Sequence, residues 1–165
     1  MIRKAVSTDL EEIVCIIHEV KKLMIECGNP QWDSDYPGEK EYRRDILRGE
    51  LYVEEQEGAI AGFVTVNAVF PKEYEDLVWT TELPANTLHR LAVNPLFRNK
   101  GVARLLFDYG EFVSRSQGMR SIRLDTFSLN HAAQRMFINN GYHFAGQIQM
   151  KGRSVPYVCF EKTLS

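Results

Sequence analysis

Long apolar runs are missing from this sequence. No stretch approaches the about 18 to 20 residues that a membrane span requires, so no membrane association is expected. Cysteine is scarce: Cys15, Cys27 and Cys159 form an odd set with no C-x-x-C pair. That excludes a disulfide framework and a zinc knot, leaves the thiols reduced and predicts no metal. Neither sign of charge dominates, with 20 Lys and Arg against 22 Asp and Glu mixed along the chain for a net charge of -2. Without a basic stripe, nucleic acid is not an expected partner, and any bound anion must be held by local geometry. Neither G-x-G-x-x-G nor G-x-x-x-x-G-K-[ST] occurs, which removes the dinucleotide-binding and P-loop readings. The residues after Met1 lack the apolar core of an export signal, so the expected location is cytoplasmic.

What is present fits one domain spanning 1–165: 44% apolar and 25% charged residues, with no repeat, low-complexity tract or linker. A strand over 2–6 runs into Ser7, Thr8 and Asp9, which supply N-cap oxygens. Leu10, Ile13, Ile17, Val20 and Met24 then recur at spacings of three and four, the mark of an amphipathic helix. A short charged helix is predicted over 39–47, and strands over 51–56 and 59–67 flank the turn dipeptide Glu57-Gly58. A strand over 87–93, a helix over 99–116, a strand over 121–126, a helix over 130–139 and strands over 142–150 and 156–163 complete the order βααβββαβαββ. This predicts an α/β fold on one mixed, mainly antiparallel twisted sheet flanked by helices, with a right-handed parallel unit over 87–126.

Arg98, Asn99, Lys100, Gly101, Val102 and Ala103 follow the pattern R-x-x-G-x-A between a predicted strand and a predicted helix. The first amides of a helix have no intrahelical acceptor, and the macrodipole adds partial positive charge there, so a diphosphate docking at this point satisfies donors that otherwise need water. Gly101 carries no Cβ to hold a phosphate off the backbone, and Arg98 and Lys100 can add charge at the rim. The same six residues, taken alone, also fit a helix start with solvated basic side chains.

The run Leu88-His89-Arg90-Leu91-Ala92-Val93-Asn94-Pro95 leading into residues 98–103 resembles the most diagnostic motif of the GNAT superfamily of N-acetyltransferases. Asn130, Ala133, Gly141 and Tyr142 match a second motif of that family in spacing, and the element order matches from end to end. The resemblance implies acetyl-CoA as cofactor, with backbone groups of Leu91, Ala92 and Val93 pairing with its pantetheine arm and residues 98–103 cradling its pyrophosphate. It implies that Asn130 reaches the cofactor as well, although Asn130 also suits a helix N-cap. Many relatives carry a Tyr acid where this chain has Phe137, which can shape the thioester pocket but cannot donate a proton.

An acetyltransferase needs a neutral amine, and a lysine-type amine with pKa ~10.4 is neutral in only about one molecule in 2,500 at pH 7. His89, on the strand that opens the cradle, is the first candidate base, and Glu82 just upstream is the second. A structural hydrogen bond is the plainer reading of His89, and solvation that of Glu82. Trp32, Tyr36 and Trp79 fall in the irregular stretches expected to cover the acceptor side, where aromatic and acidic groups suit an amine of a small molecule or peptide. These aromatics also suit packing of the loops onto the sheet. The loss of the family's acid keeps a non-catalytic acyl-CoA sensor as the alternative, and exposed edges of the last strands leave room for a homodimer.

Overall fold

The structure, a computed structural model, describes residues Met1–Ser165. Its elements are β1 (Ile2–Lys4), α1 (Leu10–Glu26), α2 (Glu39–Leu47), β2 (Leu51–Gln56), β3 (Ala59–Asn67), β4 (Ala85–Val93), α3 (Val102–Ser116), β5 (Ser121–Phe127), α4 (His131–Asn139), β6 (His143–Ile148) and β7 (Tyr157–Thr163). The order is the βααβββαβαββ read from the sequence. Seven strands form one mixed, mostly antiparallel sheet in the order β1-β2-β3-β4-β5-β7-β6. β4 and β5 are its parallel pair, through Ala85 with Ser121 and Asn86 with Ile122. The last strand, β7, pairs antiparallel with both β5 and β6.

The chain divides into two units, the first comprising Met1–Val66 and His89–Gly110. One stripe of α1, with Ile13, Ile17 and Val20 buried, packs with Tyr42, Leu51, Val53, Ile60, Phe63 and Ala92 in a single core. The spacing of three and four along α1 is what gathers those side chains on one face. β2 and β3 join through Glu57 and Gly58, both left-handed (φ 53° and 76°), as a two-residue hairpin turn requires. Gly62 on β3 has no room for a side chain, since a Cβ there would stand 2.8 Å from Val102 Cγ1 and 2.9 Å from the Ala92 carbonyl. That close approach seats the first turn of α3 directly on the sheet.

The second unit comprises Asn67–Leu88 and Glu111–Ser165. Its core joins Tyr74, Phe127, Ile148, Tyr157 and Cys159, with Phe70, Leu77 and Trp79 packed against them. The fully buried Glu161 on β7 accepts the Thr80 and Thr81 amides at 2.8 and 3.1 Å, and Arg123 lies 4.5 Å over the Trp79 ring. The long connection between β3 and β4 is thereby pinned by a carboxylate and a cation rather than left loose.

Three short 3-10 turns, Ser7–Asp9, Lys72–Asp76 and Pro95–Phe97, were not expected from the sequence. Asp9 does not cap α1; it turns back to accept the Val6 amide at 2.7 Å and to pair with Arg3 at 2.8 Å. The charge of Arg3 outcompetes the helix amides for the Asp9 oxygens. The helix expected from residue 99 starts only at Val102, because Asn99 (φ 60°) and Gly101 (φ 76°) are left-handed and cannot lie in a right-handed helix.

Candidate functional site

β4 stops at a built junction. The buried Asn94 bonds the Ala61 carbonyl through its amide N–H at 2.8 Å and the Ile60 carbonyl through Nδ2 at 2.9 Å, while its Oδ1 accepts the Leu96 amide. Pro95 then starts a single 3-10 turn, Arg98 is extended, and the two left-handed residues Asn99 and Gly101 swing the chain into α3. The Leu105 amide bonds the Gly101 carbonyl at 3.1 Å, so the amides of Val102, Ala103 and Arg104 precede the helical ladder.

Around these amides lies a concavity of about 270 Å³ lined by Val93, Phe97, Arg98, Asn99, Gly101, Val102 and Ala103. No carboxylate lines it. A Cβ added at Gly101 would meet no protein atom within 4 Å. The space above Gly101 is therefore open to a ligand. Arg98 and Lys100 are exposed at the rim, and Lys100 Nζ rests 5.0 Å over the Phe97 ring. Amide donors, two cations and no opposing acid are the chemistry a diphosphate requires.

Immediately upstream, β4 carries a left-handed residue in mid-strand, Arg90 (φ 50°). A non-glycine residue there costs of order 1 to 3 kcal/mol and persists only where its surroundings hold it. Here the Arg90 guanidinium gives Nε and Nη2 to Asp45 Oδ2 at 2.9 and 2.6 Å, and that oxygen also accepts Thr65 Oγ1 at 2.8 Å. Tyr42 donates its hydroxyl to the Arg90 carbonyl at 3.5 Å, and Arg90 Nη1 bonds the Tyr36 hydroxyl oxygen at 3.1 Å. Leu91, Ala92 and Val93 follow this turn directly and lead into Asn94. Ala92 is buried, and its two neighbours are half-buried.

The other residues singled out from the sequence divide between the two units. Trp32, Tyr36 and His89 lie in the first; Trp79, Glu82, Asn130 and Phe137 lie in the second. Trp32 packs on the first unit's core, and Tyr36 is exposed. His89 is half-buried on β4. Glu82 is solvated, with its side chain 90% exposed and Arg120 at 3.4 Å. Asn130 is the N-cap of α4, its Oδ1 accepting the Ala133 amide at 3.1 Å. Phe137 is 8% exposed and stands edge-on to Phe160 at 5.4 Å. Trp79 donates Nε1 to the Tyr74 carbonyl at 2.9 Å beneath the Arg123 cation.

One group was passed over in the sequence. Asp125, in the middle of β5, accepts the Tyr74 hydroxyl at 2.5 Å. Burial pushes the Asp125 carboxyl above its usual range, partly offset by that hydrogen bond. Burial and the neighbouring Asp125 drive the Tyr74 phenol well above its ordinary value, so it stays the donor of the pair. The Cys159 thiol, buried and near the same carboxylate, is pushed up to about 12. The available signal was local: an acid between Leu124 and Thr126, in a strand whose other positions are mostly buried, must find a partner inside the protein.

Comparison with known proteins bears on the same features. The model of the acetyltransferase (GNAT) family matches residues 17–142, and the chain belongs to that family. A candidate acetyltransferase from Staphylococcus aureus Mu50 is similar at 30% identity, with 100% of this chain and 99% of that one covered and a TM-score of 0.77. A GNAT-family acetyltransferase from Streptococcus agalactiae 2603 shares the fold at 24% identity, with coverage of 100% and 95% and a TM-score of 0.86. So does a candidate acetyltransferase from Salmonella typhimurium, solved with its cofactor acetyl-CoA, at 19% identity, coverage of 100% and 94% and a TM-score of 0.71. No curated protein sequence matches the chain. No helix is long and apolar enough to cross a membrane.

Proposed function

We propose that this chain, acting as a single domain over 1–165, transfers the acetyl group of acetyl-CoA to a primary amine of a small molecule or peptide by direct attack, with no covalent enzyme intermediate. The observation that carries this reading is the carboxylate-free concavity over Gly101 at the start of α3. Its amides and the rim cations Arg98 and Lys100 would hold the pyrophosphate, and the backbone of Leu91, Ala92 and Val93 would pair with the pantetheine arm. Asn130 and Phe137 are assigned to the cofactor by family likeness. Acetyl-CoA supplies the activated acyl group; this chain's residues bind it, orient it and manage the proton of the amine.

Two groups suit that proton. His89 stands half-buried on the strand leading to the cradle, and imidazole titrates near working pH. Asp125 is made a stronger base by burial and is backed by a phenol that can relay a proton. Glu82, with its side chain 90% exposed beside Arg120, is the remaining candidate. The aromatic side chains of Trp32, Tyr36 and Trp79 are assigned to the acceptor side. Phe137 leaves the departing sulfur without an acid at that position, but a thiol of pKa ~8.5 is a tolerable leaving group unaided. Three free thiols suit work in the reducing cytoplasm.

Screening a panel of amines for release of free thiol from acetyl-CoA tests the reading, with His89→Ala and Asp125→Asn measured alongside. Turnover with at least one amine, reduced by one of the two substitutions, is the expected result. The buried, non-acidic Phe137 favours a second reading, a non-catalytic acyl-CoA sensor. That reading predicts CoA binding with no thiol release for any amine, whereas absence of CoA binding defeats both.

A further inference from the structure

The left-handed turn in β4 and the loop between α1 and α2 meet in one side chain. Arg90 serves Asp45 with Nε and Nη2 and Tyr36 with Nη1. Asp45 is 1% exposed and Arg90 8% exposed at the side chain, so this ion pair is out of water and its geometry is fixed by several directed bonds rather than by charge alone. Tyr36 itself is exposed, and its own loop holds it by the Asp33 carboxylate, which accepts the Tyr36 amide at 2.8 Å, and by the Asp33 amide, which bonds the Tyr36 carbonyl at 3.0 Å. Those bonds shape the loop but do not dock it. The Tyr36 hydroxyl on Arg90 does, alongside Trp32, which packs on the core of the same unit.

We infer that Arg90 is a positioning residue with two tasks, resting on the acetyltransferase reading above: its bond to Asp45 holds the turn that aims Leu91, Ala92 and Val93 at the cofactor, and its bond to Tyr36 docks the loop expected to cover the acceptor. The planar fork of arginine is what permits both. A lysine carries its three donors on one nitrogen and lacks the rigid fork that reaches two acceptors on different elements. Asp45→Asn keeps an acceptor for Thr65 and Arg90 but removes the charge. Tyr36→Phe removes only the loop contact at an exposed position.

The experiment measures CoA affinity by calorimetry and amide hydrogen exchange of residues 31–38, using the full chain and the variants Arg90→Lys, Asp45→Asn and Tyr36→Phe. Exchange in α1 serves as the check on the fold. Arg90→Lys should weaken CoA by about tenfold and speed exchange in 31–38 while α1 exchange holds, Asp45→Asn should weaken CoA similarly, and Tyr36→Phe should speed loop exchange with CoA affinity unchanged. If Arg90→Lys binds CoA as the parent does, or if Tyr36→Phe leaves loop exchange unaltered, the inference is wrong. If the parent itself fails to bind CoA, the acetyltransferase reading falls, while the exchange of 31–38 in the three unliganded variants still decides whether Arg90 docks the loop.

Discussion

Replacing Gly101 with Val probes the cradle most directly. The new side chain meets no protein atom at its Cβ, so the effect on the fold is confined to the left-handed backbone (φ 76°). That strain costs about 1 to 2 kcal/mol, or roughly 2 to 8 °C in Tm for a chain of this size. CoA present at about one hundred times its Kd stabilises the parent by about 2.7 kcal/mol, roughly 5 to 11 °C. In the variant the valine methyls stand where the pyrophosphate would lie, so the CoA-dependent rise should vanish although the protein stays folded. Gly101→Asn separates bulk from strain, because Asn tolerates a left-handed backbone: its Tm without ligand should stay closer to the parent's, yet its response to CoA should be lost too. Differential scanning fluorimetry with and without CoA reads both numbers. If either variant keeps the full CoA shift, the ligand does not sit over Gly101 and the cradle has been misread.

Other consequences can be checked by simple measurements. Gly62→Ala forces a Cβ to 2.8 Å from Val102 Cγ1, and overpacking of this kind costs about 1 to 3 kcal/mol; Tm should drop by roughly 2 to 12 °C, with weaker CoA binding because α3 lifts off the sheet. Asp125 has a raised carboxyl pKa in the folded state, so its contribution to stability is greatest below the unfolded value and is lost as pH rises through the folded one. The Tm of Asp125→Asn should therefore gain on that of the parent as pH rises, and the parent should show an acidic limb in kcat/KM above the usual carboxylate range that any residual turnover of the variant lacks. Cys15 and Cys27 are exposed while Cys159 is buried with its thiol pushed up to about 12, so Ellman's reagent should titrate two thiols in the native protein and the third only on unfolding. Asn130→Ala removes the α4 cap and should cost about 0.5 to 2 kcal/mol in chemical denaturation.

Local rules made most of the fold legible. α2, β2 and β3 appear at the residues expected, because each is bounded by its own turn chemistry: Gly38 before Glu39, and Glu57-Gly58 between the strands. The start of α3 was misplaced by three residues, since nothing in Asn99 and Lys100 alone announces that the backbone turns left-handed twice before the helix begins. The concavity at residues 98–103 lies where a seat was expected because it is a backbone feature written in consecutive residues. Asp125 was not legible, because its meaning depends on Tyr74, fifty-one positions away, whose hydroxyl sets the acid's environment. The Arg90 turn escaped for the same reason, since Asp45 lies forty-five positions upstream.

Asp45 and Asp125 show why a buried acid must be read through its partner. Asp45 faces a guanidinium and a hydroxyl, and its Oδ2, which accepts from both, is committed to holding β4 in an unusual path. Asp125 faces a phenol, which contributes a hydrogen bond but no countercharge, and burial leaves its anion costly. An anion that is costly is one that gains by accepting a proton. The first arrangement suits a fixture and the second suits the base proposed above, from the same type of side chain in a buried and a half-buried setting. Loss of turnover in Asp125→Asn with CoA binding intact is what this contrast requires; loss of both would make Asp125 a second fixture and leave the amine's proton to His89.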